Sequence, residues 1–204
     1  MEFTEAVRRR RMVRSYDPTR PVPEASLEAV LSPGVRAPSA GFTQGISFLV
    51  LTQPQDLDAF WRAATDPDRT GRSESAWLRG MRTAPALVLV WTSREAYLDR
   101  YAEADKNRPD RDLATWSAPY WFVDAGMASM AILLAAVDAG LAACFFGVPP
   151  ERTDRVRQTF CVPDDQISVG VISLGYPAPD ERRAGSPTRR VRKPSQELIH
   201  RGHW

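Results

Sequence analysis

Hydrophobic and polar positions fall into blocks of distinct period along the chain. Residues 2–12 and "PVPEASLEAVL" (21–31) have helical spacing, the second with Leu27, Val30 and Leu31 on one face. Pro33-Gly34 follows at once and predicts a break at the end of that helix. "ISFLVLT" (46–52) and "PALVLVWT" (85–92) are short β-rich runs without clear alternation, the pattern of strands covered on both faces. Between them, residues 54–83 read as two polar helices around "DPDRTGRSES". Residues 93–101 are helical, and 102–119 form a polar, proline-bearing connection that contains Trp116.

The longest apolar segment is "YWFVDAGMASMAILLAAVDAGLAACFFGV" (120–148). Asp124 and Asp138 interrupt it and argue against a membrane span, so it predicts a central buried helix. Gly126, Ala128, Ser129 and Ala131 would let another helix approach closely, one from a second subunit included. A strand at about 143–148, a helix at about 150–160 and the strand "ISVGVISLGYP" (167–177) complete the pattern. From 178 onward the chain is a proline- and arginine-rich coil with no apolar period until Leu198. Helices and strands thus alternate in an α/β or α+β layering around one sheet, with one domain over residues 1–204.

Composition adds bounds. A chain of 204 residues that is 43% hydrophobic can build one sizeable core and is not a disordered chain. The start "MEFTEAV" carries acids and no apolar signal region, and Cys144 and Cys161 form no CxxC. Both features predict a reducing, cytoplasmic setting.

Charge changes the picture locally. The 27 basic and 25 acidic residues leave a net charge of only +2, so no whole-chain footprint for nucleic acid is present. Yet "RRRRMVRSYD" (8–17) places five arginines within seven positions. Residues 182–204 add Arg182, Arg183, Arg189, Arg190, Arg192, Lys193 and Arg201 against the single acid Glu197. These runs are either solvated faces or a site for a small, highly charged anion such as phosphate, which the arginine fork matches. If the two ends meet, Arg10 and Arg14 with Arg190 and Arg192 could clamp one phosphate, because residues two apart on an extended segment point the same way.

Catalytic signatures are scarce. The sequence has no HExxH, no paired-cysteine metal set, no P-loop and no GxGxxG after a strand. The only histidines, His200 and His203, lie in the last five residues, which leaves no interior histidine for a triad or metal site. Asp164-Asp165 beside Pro163 reads as a turn. Hard chemistry would have to come from a bound cofactor.

These motifs together carry a resemblance. "RRRRMVRSYDPTRPVPEASLEAVL" followed by "APSAGFTQGISFLVL" resembles the opening of the nitroreductase family, with its R-R-S-V-R-x-F, P-V-P and A-P-S-x-x-N-x-Q segments in that order. "DAGMASMAILLAAVDAGLAACFFGV" and "VGVISLGYP" resemble the family's central helix and late strands. The resemblance implies an α+β fold with a central mixed β-sheet flanked by helices, a long buried central helix and an extended C-terminal tail. It further implies a homodimer with FMN at the subunit interface and NADPH or NADH as reductant. Cofactor contacts carried over are Arg10, Arg11, Met12, Arg14, Phe146, Gly147, Arg190 and Arg192, with Pro38, Ser39, Ala40 and Phe42 from the partner chain. The backbone of Gly147 would lie next to flavin N5, with an N–H able to stabilise charge developing on reduction. Phe42, Trp77, Trp116 and Tyr120 are candidate walls of the substrate pocket, while Trp121 reads as core.

Departures are visible too: Met12 stands for the family's usual serine, Phe42 for asparagine, and Gly45-Ile46 for Pro-Trp. The implied activity is ping-pong hydride transfer from NAD(P)H to a nitroaromatic, quinone or similar small-molecule acceptor, with no metal, nucleic acid or membrane involved. Two alternatives stay open. One is a flavin-dependent oxidase, dehydrogenase or deazaflavin-using relative; the other is a protein that stores or senses flavin without turnover.

Overall fold

The computed structural model describes residues 1–65, 75–106, 108, 110–181 and 189–204. Its centre is the strand Ala86–Ser93 (β2), every residue of which is buried. β2 pairs antiparallel on one side with Ile46–Leu51 (β1) and on the other with Gln166–Gly175 (β4). Ala142–Phe146 (β3) pairs antiparallel with β4, giving the order β1-β2-β4-β3. The expected mixed sheet is therefore antiparallel in its strands. Its parallel component is the single Met12–Ala143 bridge along β3.

The period of two along β2 sends side chains to two separate cores. Leu87, Leu89 and Trp91 meet Phe60, Trp61, Ala63 and Ala64 of Pro54–Ala64 (α3), Met81 of Ala76–Met81 (α4) and Val156 of Pro150–Thr159 (α7). Ala86, Val88 and Val90 meet Leu27 and Val30 of Glu24–Val35 (α2) and Ala125, Ile132, Leu133 and Ala136 of Tyr120–Asp138 (α6). The absence of strict alternation in the β-rich runs follows from this two-sided covering. α3 is less polar than its composition predicts, because Phe60 and Trp61 carry its buried face. The run expected between the two helices of 54–83 lies largely outside the described residues.

Two expectations need correction. The first helix, Phe3–Arg9 (α1), ends three residues early, because Val13 N–H donates to the Ala143 carbonyl (3.0 Å) and draws the following segment out beside β3. α2 runs through Pro33 and Gly34 without stopping. Its glycine serves close approach: a Cβ on Gly34 would lie 2.6 Å from Ile132 Cγ1 and 3.4 Å from the Ala128 carbonyl oxygen. Gly34 of α2 thus admits Ile132 of α6, while Gly126, expected among the close-approach residues, is exposed with no neighbour within 4 Å of a Cβ. The outer face of α6 leaves Phe122, Val123, Met127 and Met130 exposed in the single chain, so the expected central helix is buried on one side only. α6 has the length and apolarity of a membrane span, but its inner face packs on the sheet and carries the buried Asp124.

Tyr16 fixes the N-terminal segment to the sheet. Its ring is buried, and its hydroxyl lies 2.8 Å from the Val13 carbonyl and 2.7 Å from the Ser173 hydroxyl. Residues 15–17 pair with 176–178 through Asp17 N–H to Tyr176 O (2.9 Å) and Ala178 N–H to Ser15 O (3.1 Å). Burial pushes the phenol pKa of Tyr16 upward.

Gly34→Ala is expected to lower stability by about 1–3 kcal/mol through overpacking. In urea titrations that cost should shrink in an Ile132→Ala background; equal cost in both backgrounds would refute the contact as its cause. Tyr16→Phe should cost about 1–2 kcal/mol at neutral pH by orphaning its buried partners. The folded chain binds the Tyr16 proton more tightly than the unfolded chain, whose tyrosines ionise near pH 10. Stability is therefore fully present below about pH 10 and falls above it, less steeply in Tyr16→Phe.

Candidate active site

The arginine run divides at the end of α1. Arg8 and Arg9 belong to the helix and bond back to Glu5, on its solvated side. Arg10 adopts extended dihedrals (φ −54°, ψ 122°), and the segment then follows β3. Arg11 makes an ion pair with Glu181, whose side chain is only 6% exposed. Arg10 has no ion pair among the described residues, and Arg14 lies near enough to Cys144 to oppose the upward push of burial on that thiol. Met12 turns toward β3, its Sδ accepting the Phe145 N–H at 3.4 Å. A residue there spent on packing leaves the cations and the backbone as the polar equipment of this edge.

Because the 12–143 bridge is parallel, the segment advances in the same direction as β3 and carries Arg14 toward Phe146 and Gly147. Phe146 stacks on Trp61 (centroids 5.7 Å apart, planes within 6°), and Trp77 meets its ring edge-on at 5.7 Å. Beyond this aromatic wall Gly147 is open: a Cβ built on it would meet no atom within 4 Å. Arg10, Arg14, Phe146, Gly147 and Trp77 thus share one edge of the sheet.

The other expected residues gather near the opposite edge. Pro38, Ser39, Ala40 and Phe42 precede β1, and the Gly45 carbonyl accepts Ser93 N–H (2.9 Å) and the Thr92 hydroxyl (3.0 Å) at the end of β2. The glycine that replaces the family's proline has a local cause, since a Cβ on Gly45 would lie 2.7 Å from the Tyr97 ring. Gly41, Phe42 and Gln44 all have positive φ (63°, 56° and 55°), and Phe42 is 74% exposed. Trp116 and Tyr120 lie beside this loop in a ring cluster with Tyr97 and Tyr101 of Arg94–Ala102 (α5) and the buried Trp121. β1 and β3 are three strand spacings apart, about 14 Å. The expected residues thus fall into two separate groups within one chain.

The two ends of the chain meet only in part. Residues 176–181 run beside residues 11–17, but Arg190 and Arg192 lie in a tail (189–204) that is exposed throughout, with no bond to Arg10 or Arg14 among the described residues. Arg182 and Arg183 lie outside the described residues. Trp61, Glu181 and Arg100 were not singled out by sequence patterns, since each acts through a partner distant in sequence. Asp124 was visible as a charge inside an apolar helix, though not its partners. Among the described residues no group of three or more His, Cys, Asp or Glu side chains could hold a metal.

The donors at the β3 edge suit an anionic, planar group such as FMN: Arg10, which has no ion pair among the described residues, the Arg14 cation, and an open backbone beside stacked aromatics. Comparison with known proteins agrees on the fold. A Methanothermobacter thermautotrophicus protein provisionally named NADH dehydrogenase/NAD(P)H nitroreductase is 28% identical over 180 residues, 87% of this chain and 78% of that protein. An Archaeoglobus fulgidus protein of the same name is 26% identical over 207 residues, 100% of this chain and 99% of that protein. A Desulfovibrio desulfuricans nitroreductase solved in complex with FMN superposes with a TM-score of 0.70 at 22% identity, covering 100% of this chain and 98% of that one. Residues 7–176 match the Nitroreductase family, from within α1 to the residue after β4, and the chain belongs to that family.

Proposed function

We propose that this protein is an FMN-dependent oxidoreductase that passes hydride from NADPH or NADH to a nitroaromatic, quinone or similar small acceptor. Bound FMN would supply the redox chemistry, accepting hydride at N5 and passing it on in a ping-pong cycle. The observation that carries the reading is the β3 edge, where the segment that follows Arg10 runs parallel to β3 and carries Arg14 toward an aromatic wall that ends at the open backbone of Gly147. Arg10 would hold phosphate, and Arg14 would balance negative charge at the flavin pyrimidine ring. Arg190 and Arg192 would add to the phosphate clamp.

Two half-sites on opposite edges of one sheet favour a homodimer, in which Pro38–Phe42 of one subunit covers the arginine edge of the other. The exposed apolar face of α6, with Phe122, Val123, Met127 and Met130, supports burial of that helix against a second copy. Trp77 on one subunit, with Phe42, Trp116 and Tyr120 on the other, would then wall the acceptor pocket. The two free cysteines, Cys144 and Cys161, suit a reducing cytoplasm.

The purified protein reconstituted with FMN should show flavin absorption bands that bleach with anaerobic NADPH or NADH and return on adding a quinone or nitroaromatic. Two-substrate initial rates should give parallel double-reciprocal lines. Bands that never bleach would sink the catalytic reading in favour of storage or sensing, and bands restored by oxygen alone would favour an oxidase. Arg10→Ala and Arg190→Ala should each weaken FMN binding about tenfold or more, the loss of one charge-assisted hydrogen bond.

A further inference from the structure

We propose that Asp124 and Arg100 are positioning residues that hold the backbone of the Ser39–Gln44 loop ready for flavin before any ligand binds. The inference rests on the reading that this loop lies against flavin across the subunit interface. Three of the four residues 41–44 have left-handed dihedrals, and two of them, Phe42 and Gln44, are not glycine. Left-handed backbone is costly for a residue that carries a Cβ. Phe42, at 74% exposed, recovers none of this by burying its ring in its own chain. The conformation is held by bonds within the loop and by side chains from outside it.

Two helices supply that hold through adjacent backbone groups. From α6, Asp124 is 1% exposed, and its Oδ2 accepts both the Ala40 N–H (2.7 Å) and the Tyr97 hydroxyl (2.7 Å). From α5, Arg100 Nε donates to the Gly41 carbonyl at 2.9 Å. Its two terminal nitrogens are fixed by a bidentate contact to Asp105, 2.7 Å each. Within the loop, Ser39 Oγ accepts Gln44 N–H (3.0 Å), and the Thr43 hydroxyl donates to the Ala40 carbonyl (2.6 Å). Burying a carboxylate is expensive, and an apolar side chain would suit the core better if packing were its only task. Burial and the neighbouring carboxylate both raise the Tyr97 pKa, so the phenol stays a donor to Asp124 throughout the neutral range.

The test compares the parent with Asp124→Ala, Asp124→Asn and Arg100→Met. The readouts are amide hydrogen exchange of residues 40–44 without flavin, FMN affinity by flavin fluorescence, and kcat with KM. Asp124→Ala should speed exchange in the loop and weaken FMN binding about tenfold or more. Asp124→Asn, whose amide oxygen can still accept both donors, should restore most of the affinity. Arg100→Met lies at a partly exposed site and probes the same loop from its carbonyl side, so the proposal remains testable if Asp124→Ala does not fold. Variants that lose thermal stability yet bind FMN within twofold of the parent would overturn the positioning role, as would unchanged exchange in the loop. A parent that binds no FMN would defeat the flavin reading itself, and this inference with it.

Discussion

The antiparallel pairing of β2 with β4 is the constraint on which the rest of the molecule depends. Both strands run through the middle of the sheet, and β2 is sealed on both faces, so neither can shift register without turning core residues to the wrong side. This fixes β1 on one side and β3 on the other. Arg10, Arg14 and Gly147 belong to the β3 edge, and the Ser39–Gln44 loop precedes β1. The separation of these two groups of residues is thus set by the core.

At the β3 edge, the fold turns an arginine-rich sequence into sorted charge. Helix α1 absorbs Arg8 and Arg9 in ion pairs with Glu5, and Glu181 takes Arg11. The extended segment that follows leaves Arg10 unpaired among the described residues and delivers Arg14 toward the end of β3. At the other edge the polypeptide accepts left-handed backbone and meets it with charged side chains from two helices. Buried Tyr16 and buried Asp124 perform comparable tasks, each tying a functional segment to rigid secondary structure through backbone groups.

Much of this was legible in the chain. The strands, the amphipathic helices and the four-part resemblance all rest on local periodicity and residue order, and the structure places them within a few residues of their expected bounds. The errors have physical causes. Pro33-Gly34 signals a break in isolation, yet packing of α2 on α6 rewards a helix that continues, with glycine giving the needed clearance. Helical spacing through residue 12 yields at Arg10, because the backbone from Met12 onward gains a partner in β3.

The sequence by itself determined the elements and the α+β class, and it singled out the residue types of the candidate site, because these depend on side-chain chemistry and on neighbours close in the chain. Only the tertiary structure decided that Glu181 takes Arg11, that Met12 points into β3, and that Asp124 and Arg100 grip the loop before β1. Those outcomes depend on contacts between residues 59 to 170 positions apart, as for Arg100 with Gly41 and Arg11 with Glu181. Such pairings arise when the core closes, and no local pattern in the chain encodes them.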